Sequence, residues 1–123
     1  MLDNSILFDW LAFAAPVGEW ADSALHAPTL IDYEFLHTLR GNVNGGKITA
    51  SAAREVLGSF MELEIHRHDA HRLLHAMWRF RHDMSAYDAS YAALAQALGA
   101  PLVTTDLRLA RTARRWCRVI VPE

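Results

Sequence analysis

Residues Ala86–Asp106 read AYDASYAALAQALGAPLVTTD. The Ala-rich run has helical composition, and Gly99 stops it, because glycine adopts the left-handed dihedral angles of a helix end without strain. Pro101 and the apolar pair Leu102-Val103 follow, then Thr104, Thr105 and an acid, Asp106. The stretch predicts a helix over 86–98, a buried strand over 101–105 and a carboxylate where that strand ends. A further helix begins at Leu107, and Arg118-Val119-Ile120-Val121, closed by Pro122, reads as a last strand. Helices alternating with short apolar strands predict an α/β fold of three layers, α/β/α, with a mostly parallel central sheet.

The same alternation runs toward the N-terminus. Met1–Ser5 reads as the end of a very short strand, and Ile6, Leu7, Trp10, Leu11 and Ala14 then recur at helical spacing until Pro16 and Gly18. A short helix over 20–25, a turn over His26–Thr29 and a helix over Leu30–Asn42 are expected next. Asn44-Gly45-Gly46 is the clearest turn, and Thr49 is placed to cap a helix over 50–60. Leu63-Glu64-Ile65-His66 alternates and predicts a strand over 62–67. A helix over 70–81 follows, with Leu73, Leu74, Met77 and Trp78 read as a core face. Trp10, Leu11, Phe13 and Trp20 also read as core.

A chain of 123 residues with 52% hydrophobic and 21% charged residues has room for one domain, spanning 1–123, and enough apolar surface to exclude disorder. The net charge of −2 excludes a protein that holds nucleic acid by bulk positive charge. Lys47 is the only lysine, so the other basic residues are Arg, the side chain suited to bidentate phosphate contacts. Cys117 stands alone, which excludes a disulfide within the chain and predicts a reducing, cytoplasmic setting. The apolar stretch from Ile6 to Ala15 is cut by Asp9 and is too short to span a bilayer, so neither a signal peptide nor a membrane anchor is expected.

Open parallel sheets bind ligands at the carboxyl ends of their strands. Asp3 and Asp106 each follow an apolar strand and precede a helix, while Glu34 and Asp88 sit early in their helices. Any one of these acids is explained by the helix macrodipole, an effect of about 0.3–1 kcal/mol. Together they form a set that repels itself unless a cation is present, and an oxygen-only site suits Mg²⁺ or Mn²⁺. A receiver domain of a response regulator would need a late lysine, and a haloacid-dehalogenase phosphatase an Asp where Ser5 stands; both are excluded. The histidines offer a second cluster, His66, His68, His71, His75 and His82. His71 and His75 lie four apart, a spacing able to bind metal, while His26 and His37 are isolated.

Leu2-Asp3-Asn4-Ser5, Glu34 within Leu30–Glu34, the run Tyr87–Ala95 and Leu102–Asp106 resemble the four acidic motifs of PIN-domain ribonucleases, and in particular the VapC toxins of bacterial VapBC toxin–antitoxin pairs. The resemblance covers essentially the whole chain in the same order; its first strand is shorter, since only Met1 and Leu2 precede Asp3. It implies that Asp3, Glu34, Asp88 and Asp106 hold one or two Mg²⁺ or Mn²⁺ ions, with Ser5 and Thr104 beside them orienting a carboxylate or a metal-bound water. Asp9 and Asp32 are extra acids nearby. It also implies hydrolysis of structured RNA, such as a tRNA or rRNA loop, by metal-activated water, leaving a 5′-phosphate and a 3′-hydroxyl. Arg40, Arg108, Arg111, Arg114 and Arg115 are candidates for phosphate contacts. The implied partners are a VapB-type antitoxin, seated against the aromatic first helices, and a second copy of the chain. The alternative is a PIN-fold module that binds RNA or a partner with little catalysis.

Overall fold

The computed structural model describes residues 1–15 and 23–122, and a parallel sheet of very short pieces lies at its centre. Strand β1 (Leu25–Pro28) pairs in parallel with β2 (Ile65–His68), Leu25 opposite Ile65 and Pro28 opposite His68. Strand β3 (Leu102–Val103) pairs in parallel with β4 (Val119–Ile120). Leu2 joins the two pairs. Its N–H donates to the His26 carbonyl at 3.1 Å, and Val103 exchanges bonds with Met1 and Asp3 at 2.8 and 3.1 Å. The spatial order is therefore β2, β1, Leu2, β3, β4.

Parallel neighbours need crossovers, and here the crossovers are helices. Helix α1 (Asn4–Phe13) starts straight after the Leu2 bridge, and α2 (Leu30–Asn44) straight after β1. Helix α3 (Ala50–Glu62) begins at Thr49, whose Oγ1 accepts the Ala52 N–H at 3.1 Å. Helix α4 (Leu74–Arg79) is a short piece preceded by a 3₁₀ turn at His71–Leu73. Helix α5 (Ala86–Leu98) is capped by Ser85 and ended by Gly99 at φ 63°, and α6 (Leu107–Ala113) follows β3.

The helices form two groups with the sheet between them: α1, α2 and α3 pack on one another, and α5 packs on α4, α6 and the strands. Ala89, Ala92, Ala93 and Ala95 are all buried, and these small side chains let α5 lie close to β1 and β3. In the other group Phe35 stacks on Phe60 with ring centroids 4.0 Å apart, and Phe8 meets Phe35 at 5.4 Å. All three rings are buried, each contributing about 1.5–3 kcal/mol by leaving water.

The structure revises four expectations. Residues 26–28 are strand rather than turn; Pro28 is the last strand residue, where a missing N–H costs the sheet little. Helix α3 runs on through Glu62, which pushes the following strand to 65–68. The single helix expected over 70–81 is divided into a 3₁₀ turn and α4. Leu74 and Trp78 are 50% and 66% exposed, and Phe13 is 52% exposed, so these positions are surface rather than core. Of the helix expected over 20–25, positions 20–22 lie outside the described residues, Ser23 and Ala24 are not helical, and Leu25 opens β1. No described helix is long and apolar enough to cross a membrane.

Candidate active site

Asp3 ends the central strand segment and caps α1, its Oδ1 accepting the Ile6 N–H at 3.3 Å. Two hydroxyls hold the same carboxylate: Ser5 Oγ donates to Oδ1 at 2.6 Å and Thr104 Oγ1 to Oδ2 at 2.7 Å. Asp3 is 5% exposed, and burial pushes its pKa up; the three hydrogen bonds pull the other way, and the charge of Asp106 adds to the rise. Thr104 is fully buried and also accepts the Asp106 N–H at 2.9 Å, so one hydroxyl ties the β3–α6 turn to Asp3. Ser5 Oγ accepts the Thr105 N–H at 3.1 Å and closes the link from the α1 side.

Glu34 lies in the second turn of α2 and accepts a hydrogen bond from the Tyr91 hydroxyl. Burial raises the Glu34 pKa, the Tyr91 bond lowers it, and the charges of Asp3 and Asp88 raise it further. The Tyr91 phenol is buried and beside Glu34, which keeps it protonated as a donor. Asp88 sits one turn before Tyr91 on α5 and pairs with Arg108 Nη2 at 2.9 Å. Asp106 caps α6, its Oδ1 accepting the Arg108 and Leu109 N–H groups at 3.0 and 3.1 Å, and its Oδ2 lies 3.7 Å from Arg108 Nη2. The four acids thus come from the Leu2 strand end, α2, α5 and the β3–α6 turn, and the charges of Asp3, Glu34 and Asp88, and of Asp3 and Asp106, are felt across the site.

The family model described as PIN domain matches residues 1–115. The chain belongs to the PIN domain family. Within it the similarity is to VapC proteins: ribonuclease VapC9 of Mycobacterium tuberculosis is 39% identical over 101 residues, covering 82% of this chain and 80% of that one. Ribonuclease VapC1 of the same species is 38% identical over 99 residues, covering 80% and 74%. In structure, the crystal structure of PAE2754 from Pyrobaculum aerophilum superposes with a TM-score of 0.68 at 22% identity, over 96% of this chain and 81% of that one.

The donors of this PIN domain suit a divalent cation. All four are carboxylates, burial and mutual repulsion raise two of them, and Asn4 Oδ1, next to Asp3, is a buried acceptor with no partner among the described residues. Asn4 Nδ2 reaches across to Thr38, one turn beyond Glu34, at 2.9 Å. As the side chains stand, no three His, Cys, Asp or Glu groups among the described residues are drawn tightly enough to hold one ion. The cation that lies between Asp88 and Asp106 is Arg108.

The other expected residues are placed unequally by the PIN fold. Asp32 is drawn away from the carboxylates by Arg67, which meets it with two bonds of 2.7 Å, whereas Asp9 stays near, accepting from Thr105 Oγ1 at 3.5 Å. Arg40 lines a separate hollow between α2 and α3, Arg111 and Arg114 are exposed on and after α6, and Arg115 lies over the Trp116 ring beside Asp83. His26 Nδ1 and His68 Nε2 are 2.9 Å apart, with the His66 ring stacked on His26, so His26 is less isolated than its place in sequence suggests. His71 and His75 fall on either side of the junction between the 3₁₀ turn and α4. Tyr91 and Arg108 as partners of the acids went unread in the sequence; the helical spacing of Tyr91 three residues after Asp88 is the signal that could have found the first.

Proposed function

We propose that this chain is the toxin of a VapBC-type toxin–antitoxin pair, a single PIN domain over 1–123 that acts in the cytoplasm as an endoribonuclease. The observation that carries the reading is the gathering of Asp3, Glu34, Asp88 and Asp106 at the carboxyl ends of parallel strands, with Asp3 and Glu34 raised in pKa by burial and by their acidic neighbours. The PIN domain match and the similarity to VapC ribonucleases support it.

In this reading the four carboxylates hold Mg²⁺ or Mn²⁺, which when bound makes a water more acidic and offsets charge on the phosphodiester. The chain's own residues set the geometry. Ser5 and Thr104 fix both oxygens of Asp3, and Tyr91 fixes Glu34, so neither acid has to be ordered when substrate arrives. Arg108 stands at the mouth, mostly exposed, where its guanidinium can exchange a carboxylate partner for a phosphate. Arg40 and Arg111 supply more distant positive charge along the RNA. The substrate is structured RNA such as a tRNA or rRNA loop, cut to a 5′-phosphate and a 3′-hydroxyl, and the partners are a VapB-type antitoxin and a second copy of the chain.

A second reading, a PIN module that binds RNA or a partner with little catalysis, is favoured by one observation: Arg108 already neutralises Asp88 and Asp106. Expression of Asp3→Asn or Asp88→Asn without any antitoxin separates the two. Loss of growth arrest supports the nuclease; arrest as strong as that of the unaltered chain contradicts it.

A further inference from the structure

Tyr33 and Tyr87 are 76% and 66% exposed, and each directly precedes one of the site acids, Glu34 on α2 and Asp88 on α5. Both line the same cavity of about 670 Å³, whose wall also holds Glu34, Asp88 and Arg108. Neither phenol ring has a hydrogen-bond partner or a ring neighbour among the described residues. Two large rings left in water beside charged groups are under-used in the folded chain, since each forgoes the burial that aromatic side chains ordinarily gain.

The surroundings select what covers them. An apolar protein helix laid over this cavity would bury Glu34, Asp88 and Arg108 without replacing the water they lose, a heavy cost. A flat nucleobase covers ring faces while leaving the charged wall to the sugar–phosphate chain, and stacking on aromatic side chains tolerates any base. A base inside a duplex has both faces occupied, so the occupant has to be unpaired. We infer that Tyr33 and Tyr87 form a stacking subsite for one unpaired nucleobase beside the carboxylates. This rests on the ribonuclease reading above and adds to it which side chains receive a base next to the acids.

The test is equilibrium binding of a short single-stranded RNA carrying 2-aminopurine, in Ca²⁺ so that it stays uncut, beside the same RNA with an abasic position. Tyr33→Ala and Tyr87→Ala are each expected to weaken binding by roughly 5- to 150-fold, while Tyr33→Phe and Tyr87→Phe stay within about twofold of the unaltered chain. The unaltered chain should prefer the intact RNA over the abasic one, and the Ala variants should lose that preference. Both positions are exposed, and unchanged melting temperatures verify that the variants fold. Ala variants that bind as the unaltered chain does, while that chain still cuts RNA with Mn²⁺, overturn the subsite and leave the nuclease standing. An unaltered chain that neither binds nor cuts RNA overturns both. A changed oligomeric state with unchanged RNA affinity assigns the face to a protein contact and also overturns the subsite.

Discussion

Arg108 Nη2 lies 2.9 Å from Asp88 Oδ2 and 3.7 Å from Asp106 Oδ2, so a side chain of α6 supplies the positive charge between two acids of the site. Exposed ion pairs of this kind hold about 0.2–1 kcal/mol, little beside what a divalent ion gains from carboxylates. Arg108→Leu is therefore expected to bind Mn²⁺ more tightly by no more than about fivefold, the equivalent of that energy, and to bind RNA more weakly. Titration calorimetry with Mn²⁺ checks the first, and RNA binding the second. Weaker Mn²⁺ binding by the variant would show that Arg108 helps to build the metal site instead of competing with it.

The raised pKa of Glu34 fixes the sign of a pH effect. An acid whose folded pKa lies above its unfolded value adds stability below the unfolded value, near pH 4.5 for Glu34, and that stability is lost as pH rises through the folded pKa. Asp3 acts in the same direction. Without added metal the chain should therefore lose these two contributions as pH climbs above the ordinary carboxylate range. Glu34→Gln keeps an acceptor for Tyr91 and removes the charge. It is expected to raise the metal-free melting temperature at pH values above the ordinary carboxylate range and to flatten its decline as pH rises. A steeper decline in the variant would contradict the assignment.

Thr104 carries a purely geometric prediction. Its buried hydroxyl donates to Asp3 and accepts from the Asp106 N–H. Thr104→Val preserves the shape and strands both partners, at a cost of about 1–3 kcal/mol, whereas Thr104→Ser keeps the bonds. Chemical denaturation of the pair measures the difference.

Asp106 caps α6 as well as facing the site. Asp106→Asn retains a side-chain acceptor for the Arg108 and Leu109 N–H groups, while Asp106→Ala removes it and is expected to cost about 0.5–2 kcal/mol. Both should abolish RNA cleavage, with only the Ala variant losing stability. An active Asn variant would show that Asp106 is a helix cap and nothing more.

Sequence reading reached furthest where local chemistry decides the structure. Thr49 and Gly99 mark helix ends that depend on one or two residues, and Ala86–Leu98 forms as its composition predicts. It failed at His26-Ala27-Pro28, which has weak strand preference and becomes strand only because Leu2 and residues 65–68 supply distant partners. It failed again at Leu74 and Trp78, because helical spacing reveals that a face is apolar but not what covers it. The acids were legible as strand ends and helix starts. The bonds of Thr104 to Asp3, of Tyr91 to Glu34 and of Arg108 to Asp88 span 101, 57 and 20 residues, and no local pattern encodes them.

We propose that the four carboxylates work as one metal-dependent RNA-cutting site. Incubating purified chain with cellular RNA and Mn²⁺, then mapping new 5′-phosphate ends, tests it most directly when Asp88→Asn is run in parallel. Defined cleavage positions that vanish in the variant and on chelation of the metal are expected. Cleavage by the Asp88→Asn chain at the same positions and rate, or cleavage that persists in chelator, would contradict it.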